Sequence, residues 1–137
     1  MGEPIQQNIF LYSGYTPRST ALAERVQKAC KKGDSVSIIE DSGHIIEKRV
    51  QLAGSIVILD LPNIKQSAIK AIRSVKEQSG DIKILAIHIY TTKLLIEPLI
   101  EAGANGYLNY EPSVAELREA IHSVSVGERY LPGQIYR

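Results

Sequence analysis

The sequence predicts a single doubly wound α/β domain built on a parallel sheet. Five short apolar runs typical of strands alternate with segments whose apolar residues recur at helical spacing. The runs recur roughly every 25 residues, a spacing that favours right-handed strand–helix–strand crossovers. At 137 residues the chain is long enough for one domain with a substantial core.

The individual elements follow from local patterns. The predicted strands are residues 8–13, 35–40, 55–60, 82–90 and 106–109. The first helix is predicted to begin at Pro17, with Thr16 before it as N-cap, because proline fits the first helical turn. The last helix is predicted to begin after Ser113, which forms a capping box with Glu116. Apolar residues at helical spacing predict two further helices around residues 46–53 and 68–75.

Pro98 interrupts the apolar segment of residues 93–100. A proline inside a helix removes a backbone hydrogen bond and costs about 3 kcal/mol. We therefore expect a helix that begins near Pro98 and leaves residues 91–96 as an irregular loop, with an ordinary kinked helix as the alternative. In both cases at least one of Leu94, Leu95 and Ile96 is exposed to a partner.

The composition excludes several classes of protein. Lys and Arg number 16 and Asp and Glu 15, so the net charge of +1 does not indicate a nucleic-acid or membrane partner. The single cysteine, Cys30, cannot form a disulfide within the chain, and no Cys/His spacing resembles a zinc site. Without a signal peptide or a long apolar stretch, we expect a cytoplasmic protein that does not enter a membrane.

Asp60 ends the most apolar of the predicted strands, residues 55–60. A carboxylate at the carboxyl end of a buried parallel strand lies where open α/β sheets place their binding sites. Asp60 is therefore the first candidate for a functional residue.

The carboxyl-terminal half carries a family resemblance. Residues 101–108 read EAGANGYL, a capped helix follows, and residues 127–131 read GERYL. In this order the motifs resemble the receiver domains of bacterial response regulators, most of all the NarL type. The resemblance implies a (βα)5 flavodoxin-like fold with five parallel strands in the order 2-1-3-4-5. It also implies a receiver-like domain over residues 1–126, with residues 127–137 beginning a linker to an absent C-terminal helix-turn-helix output domain.

The resemblance also assigns roles to positions around Asp60. In receivers an acidic pair holds Mg²⁺, an aspartate accepts a phosphoryl group, and a Thr or Ser and a Lys close around it. Asp60 matches the acceptor, and Tyr107 matches the aromatic residue that changes rotamer in the family's switch. The acidic pair, the Thr/Ser and the Lys are replaced by Gly14, Tyr15, His88 and Tyr110.

These replacements predict a degenerate site, that is, a pseudo-receiver. Phosphoryl transfer needs a cation to offset the charge of the moving group, and a phosphoryl group adds roughly −1.5 to −2 charges. Asp60 is expected to lack that cation, unless Arg18, Lys65 or Lys93 supplies one. We therefore expect a non-enzymatic interaction module without metal or cofactor, which regulates an attached or partner transcription output domain without standard phosphorylation of Asp60.

The replacing residues have their own interpretations. A protonated His88 could pair with Asp60, which would raise the pKa of His88 and create a pH sensor. Alternatively, His88 is neutral and hydrogen-bonded to backbone or water. Tyr15 and Tyr110 are interpreted as filling the volume left by the ion and the lysine.

The family also suggests a contact surface. Its fourth helix, fifth strand and fifth helix form the face that dimerises or meets an output domain. Here we expect a protein partner or a homodimer on that face, and DNA contact through an absent output domain alone. The residues predicted on this face are Leu95, Leu99, Tyr107, Glu116, Arg118 and Glu119.

Two other functions remain open at this point. The first is an ordinary receiver that binds Mg²⁺ and is phosphorylated at Asp60. The second is a flavodoxin-like protein that binds FMN, because residues 12–20 form a hydroxyl-rich loop between a strand and a helix, where a phosphate can bind. That loop lacks a closely spaced Thr-Gly-x-Thr pattern, and Pro17 removes one amide donor.

Overall fold

A computed structural model of the chain describes residues 7–39 and 54–133. Five parallel strands form one sheet in the order β2-β1-β3-β4-β5, which confirms the predicted topology. The strands are β1 Asn8–Tyr12, β2 Ser35–Ile39, β3 Ile56–Asp60, β4 Lys83–His88 and β5 Gly106–Asn109. The helix predicted around residues 46–53 lies outside the described residues.

Helices cover both faces of the sheet. The described helices are α1 Thr16–Ala29, α2 Ala68–Lys76, α3 Lys93–Ala102 and α4 Val114–Ser125. Leu22 of α1 and Leu117 of α4 pack in one buried cluster, on one face of the sheet. Ile72 of α2 and Leu99 of α3 pack in a second cluster, on the opposite face. None of the helices in the described residues is long and apolar enough to cross a membrane.

β3 is the central strand, and all five of its residues are buried. Ile56 and Ile58 pack on the α1/α4 side, whereas Val57 and Leu59 pack on the α2/α3 side. A strand covered on both faces must be apolar throughout, which explains the unbroken apolar run. Asp60 is the one charged residue of this buried strand, so its carboxylate needs polar partners at the strand's carboxyl end.

α3 differs from the predicted irregular loop. The helix runs from Lys93 to Ala102 with Pro98 inside it, so the loop prediction was wrong and the alternative of a helix holds. Pro98 has no amide hydrogen to donate to the carbonyl of Leu94 four residues earlier, and the helix continues through this missing bond. Leu95 is also exposed while Ile96 is buried, which confirms that this segment presents apolar side chains to the outside.

The capping box at α4 is confirmed. Ser113 Oγ accepts a hydrogen bond from the Glu116 amide at 3.1 Å, and Glu116 Oε1 accepts one from the Ser113 amide at 3.1 Å. After α4 the chain returns to the sheet, where Tyr107 donates its amide hydrogen to the Tyr130 carbonyl at 2.9 Å. The start of the predicted linker therefore lies along the outer edge of β5, while residues 134–137 lie outside the described part.

Candidate functional site

Asp60 lies at the carboxyl edge of the sheet and its side chain is completely buried. Ser13 follows β1 at the same edge and donates its hydroxyl hydrogen to Asp60 Oδ2 at 2.7 Å. Asn63, in the short 3-10 turn after β3, donates from Nδ2 to the same oxygen at 2.9 Å. Neighbouring strand ends and the turn between β3 and α2 thus enclose the carboxylate.

Arg18 provides the positive charge that the sequence analysis expected to be missing. Its Nε donates to Asp60 Oδ2 at 2.9 Å and to Oδ1 at 3.1 Å, and the Arg18 side chain is 11% exposed. Of the three basic residues that the sequence analysis left open as a source of this charge, Arg18 is therefore the one that pairs with Asp60. Arg18 is in the first turn of α1, four and eight residues before the buried Leu22 and Val26, so helix geometry turns it toward the sheet.

A second acidic residue lies outside this pair. Arg18 Nη1 donates to Glu111 Oε1, and Arg25 Nη1 donates to Glu111 Oε2 at 3.0 Å. The Arg18 guanidinium also stacks on Tyr110, with Cζ 3.8 Å from the ring centroid. Two carboxylates and two guanidiniums therefore alternate from the buried Asp60 to the surface, and their formal charges cancel.

The three ion pairs Arg18–Asp60, Arg18–Glu111 and Arg25–Glu111 favour the charged forms of Arg18 and Glu111. Burial lowers the pKa of Arg18, but hydrogen bonds to Asp60 and Glu111 raise it, and the net direction is upward. Hydrogen bonds from Arg25 and then from Arg18 lower the pKa of Glu111. Glu111 adopts a left-handed backbone conformation with φ of +66°, which is uncommon for a residue other than glycine.

Gly14 closes the other side of the site through its backbone. Its amide donates to the Asn63 carbonyl oxygen at 3.0 Å. A Cβ atom at this position would lie 2.6 Å from the same oxygen, a distance that real Cβ atoms do not adopt. In this backbone arrangement position 14 therefore requires glycine, and no acidic side chain fits there.

The curated proteins that this chain is similar to include several response regulators. The response regulator UvrY of Escherichia coli K12 is 30% identical over 83 residues, which cover 61% of this chain and 38% of UvrY. The response regulator GacA of Pseudomonas viridiflava is 30% identical over 96 residues, covering 69% of this chain and 45% of GacA. The chain therefore spans less than half the length of these relatives. No family model matches the sequence.

Solved structures agree on the fold. A two-component response regulator of the LuxR family from Aurantimonas sp. SI85-9A1 superposes with a TM-score of 0.82 and 23% identity, covering 96% of this chain and 94% of that one. This chain is a response-regulator receiver domain. The motifs at residues 101–108 and 127–131 fit the NarL type.

The residues of this receiver at Asp60 do not fit a magnesium ion. Asp60 Oδ2 accepts hydrogen bonds from Ser13 and Arg18, Oδ1 accepts one from Arg18, and Gly14 cannot be replaced by an acid without a clash. Mg²⁺ needs near-octahedral oxygen ligands, usually including one or two carboxylates. In residues 7–39 and 54–133, no group of three His, Cys, Asp or Glu side chains is arranged to hold a metal.

His88 is on the wrong side of the sheet to pair with Asp60. β3 and β4 align Asp60 with Ile87, so the next residue, His88, points to the opposite face. His88 stacks on Tyr90, and its Nδ1 accepts the Ile89 amide at 2.9 Å, which requires that nitrogen to be unprotonated. Burial lowers the pKa of His88, and the attraction of Asp60 opposes this shift only in part. The hypothesis of a protonated His88 beside Asp60 is therefore wrong.

The three tyrosines to which the sequence analysis gave a role lie in different environments. Tyr110 covers the Arg18 guanidinium, whereas Tyr15 is 56% exposed at the N-cap of α1 and fills no buried volume. Tyr107 is completely buried, and its hydroxyl donates to the Tyr90 carbonyl at 2.8 Å. Burial raises the pKa of Tyr107. Tyr107, which matches the switch aromatic of the family by position, is thus held inside the domain by a hydrogen bond to the segment between β4 and α3.

The predicted contact face is only partly a surface. Leu99 is 2% exposed and belongs to the core, and Tyr107 is buried, so both assignments to the surface were wrong. Arg118 is exposed but donates to the Lys28 carbonyl at 3.2 Å, which places it on the α1 side of α4. Leu95 and Glu119 are exposed, whereas Glu116 is half-buried in the capping box.

Several residues at the site were not assigned a role from the sequence. Ser13 and Asn63 belong to loops whose approach depends on the packed sheet, and Glu111 reaches Arg18 across 93 positions of sequence. Arg18, in contrast, was named as a possible counter-charge, and its spacing of four and eight residues from Leu22 and Val26 places it on the same face of α1 as those buried residues.

Proposed function

We propose that this receiver is a pseudo-receiver, a non-enzymatic module that signals through protein contact without phosphorylation of Asp60. The observation that carries the proposal is the enclosure of Asp60: the side chain is fully buried, and both carboxylate oxygens accept hydrogen bonds from Arg18, with further bonds from Ser13 and Asn63. Phosphoryl transfer needs a nucleophile in line with the donor and accessible to it.

Arg18 argues against phosphorylation rather than for it. Its positive charge neutralises the unmodified carboxylate, so a donor can reach Asp60 after Arg18 leaves and not before. Removing one partner of a buried ion pair costs about 3–5 kcal/mol, because the other charge is left uncompensated. An acidic residue at position 14 would place its Cβ too close to the Asn63 carbonyl oxygen, so position 14 cannot supply a magnesium-binding carboxylate in place of Arg18.

The proposed contacts involve exposed apolar residues next to the sheet edge. Leu94 is 82% and Ile89 61% exposed, and Leu95 is 48% exposed. Exposed apolar groups bordered by charges are typical of surfaces that meet another protein. We propose that the partner is another protein or a second copy of this chain on the α3–β5–α4 face, and that the module regulates a transcription output domain, as the names of its relatives suggest.

The named relatives include the transcriptional regulatory protein LiaR of Bacillus subtilis, which is 27% identical over 95 residues. In the proposal, any contact with DNA comes from an output domain outside this chain, and the module works in the cytoplasm. Phosphorylation at Asp60 with Mg²⁺ gains no better support than this proposal. The prediction of an FMN-binding protein gains no support from the relatives described above.

Treatment with acetyl phosphate and Mg²⁺ tests the proposal. We expect the intact mass of the wild-type chain to stay unchanged, and the amide resonances of Asp60 and Tyr107 to stay in place when beryllofluoride is added. The matched control is Asp60→Asn, which cannot be phosphorylated at this position. A phosphoryl mass present in wild type and absent from Asp60→Asn would refute the proposal.

A further inference from the structure

Next to the buried ion pair is an open cavity of about 400 Å³, a size typical of small-ligand sites. Its lining includes two guanidiniums, from Arg18 and Arg25, and two phenol rings, from Tyr15 and Tyr110. Glu111 also lines it and binds both arginines. The cavity therefore combines a cationic pair, aromatic rings and one acidic side chain.

Glu111 has the features of a replaceable group. Its side chain is 50% exposed, so its ion pairs with Arg18 and Arg25 are partly solvated and each contributes little to stability. Displacing this carboxylate from the arginines thus costs little.

Arg18 is incompletely satisfied as it stands. Its Nε is bonded to Asp60 and its Nη1 to Glu111, but its Nη2 is buried without a hydrogen-bond partner among the described residues. A buried donor without a partner is unfavourable, so a ligand that accepts its hydrogen bond is favoured. A planar guanidinium can bind two oxygens of one anion through Nη1 and Nη2 while Nε keeps its contact with Asp60.

We propose that Arg18 and Arg25 form a binding site for a small-molecule oxyanion, a carboxylate or phosphate monoester carried on an aromatic group, for which Glu111 is the internal substitute. The oxyanion takes the place of the Glu111 carboxylate, bonds Arg18 through Nη1 and Nη2, and bonds Arg25 through Nη1. The aromatic group lies against the exposed Tyr15 ring at the mouth of the cavity. Asp60 keeps its bond to Arg18 Nε.

NMR titration with inorganic phosphate and with phenyl phosphate tests this site. For Glu111→Gln we expect saturable shifts of the amides around Arg18 and Arg25, with affinity at least about tenfold tighter than in wild type, since an anionic competitor has been removed. Arg25→Gln should weaken binding at least about tenfold. Phenyl phosphate should bind more tightly than inorganic phosphate, because the ring adds contacts with Tyr15.

The matched control is Glu119→Gln, which makes the same charge change on the exposed face of α4 and should leave affinity unchanged. Absence of saturable binding to Glu111→Gln, or equal affinity in Glu111→Gln, Arg25→Gln and Glu119→Gln, would overturn the inference. Neither probe is an activated phosphoryl donor, so the result does not depend on whether Asp60 can be phosphorylated.

Discussion

Arg18 Nε lies within hydrogen-bonding distance of both carboxylate oxygens of Asp60, at 2.9 Å and 3.1 Å, and the Asp60 side chain is completely buried. An ion pair of this kind is costly to break from one side, because the remaining charge stays in a medium of low polarity. The pair therefore links the integrity of the domain to the same residue that the family uses for phosphorylation.

We expect Arg18→Leu to lower the free energy of unfolding by about 3–5 kcal/mol, since it leaves the Asp60 carboxylate buried without a counter-charge. Urea denaturation followed by circular dichroism measures this change. Arg25→Leu is the control, because Arg25 is 40% exposed and its pair with Glu111 contributes about 0–1 kcal/mol.

Adding Asp60→Asn to Arg18→Leu should recover part of the lost stability, because a neutral amide replaces the isolated charge. If Arg18→Leu changed stability no more than Arg25→Leu, the buried pair would not have the importance assigned to it here.

Gly14 provides a second test of the closed site. We expect Gly14→Ala to lower the free energy of unfolding by about 1–3 kcal/mol, because the new Cβ lies 2.6 Å from the backbone oxygen of Asn63, which cannot easily move. Gly80→Ala is the matched control: its Cβ would have no neighbour within 4 Å, and stability should change by less than about 0.5 kcal/mol. Equal effects in the two variants would show that the loops carrying Gly14 and Asn63 separate readily.

The sequence was sufficient where local pattern determines structure. The apolar run of β3 and the capping box at Ser113 and Glu116 predicted their elements correctly, because burial and local hydrogen bonds act there over a few residues. The sequence left Arg18, Lys65 and Lys93 open as the cation beside Asp60, because no local pattern decides which of the three reaches it. The approach of α1 to the sheet edge, which selects Arg18, is a property of the packed fold.

The orientation of α3 is a second feature that depends on the packed fold, because it decides which leucines of this helix are buried. We expect Leu99→Ala to cost about 2–5 kcal/mol, because Leu99 is a core residue, although the family resemblance placed it on a contact face. Leu94→Ala should change stability by less than about 0.5 kcal/mol, since Leu94 is 82% exposed. Thermal or urea unfolding measures the free energy of unfolding of the two variants, which carry the same Leu→Ala change at different positions of α3. A larger effect at Leu94 than at Leu99 would mean that the helix is rotated relative to the sheet.

His88 makes stability depend on pH in a defined direction. Burial lowers the pKa of His88 in the folded domain below the ordinary value of about 6.5, although Asp60 acts in the opposite direction. Below about pH 6.5 the unfolded chain therefore binds the proton more readily than the folded chain does. The stabilising contribution is complete above that pH and is lost as the pH falls through the folded-state pKa.

Urea unfolding of wild type and His88→Gln between about pH 5 and 8 measures this contribution, with the exposed His122→Gln as control. His88→Gln should flatten the acidic side of the profile, whereas a wild type that grew relatively more stable toward low pH would indicate a protonated His88 in the folded state.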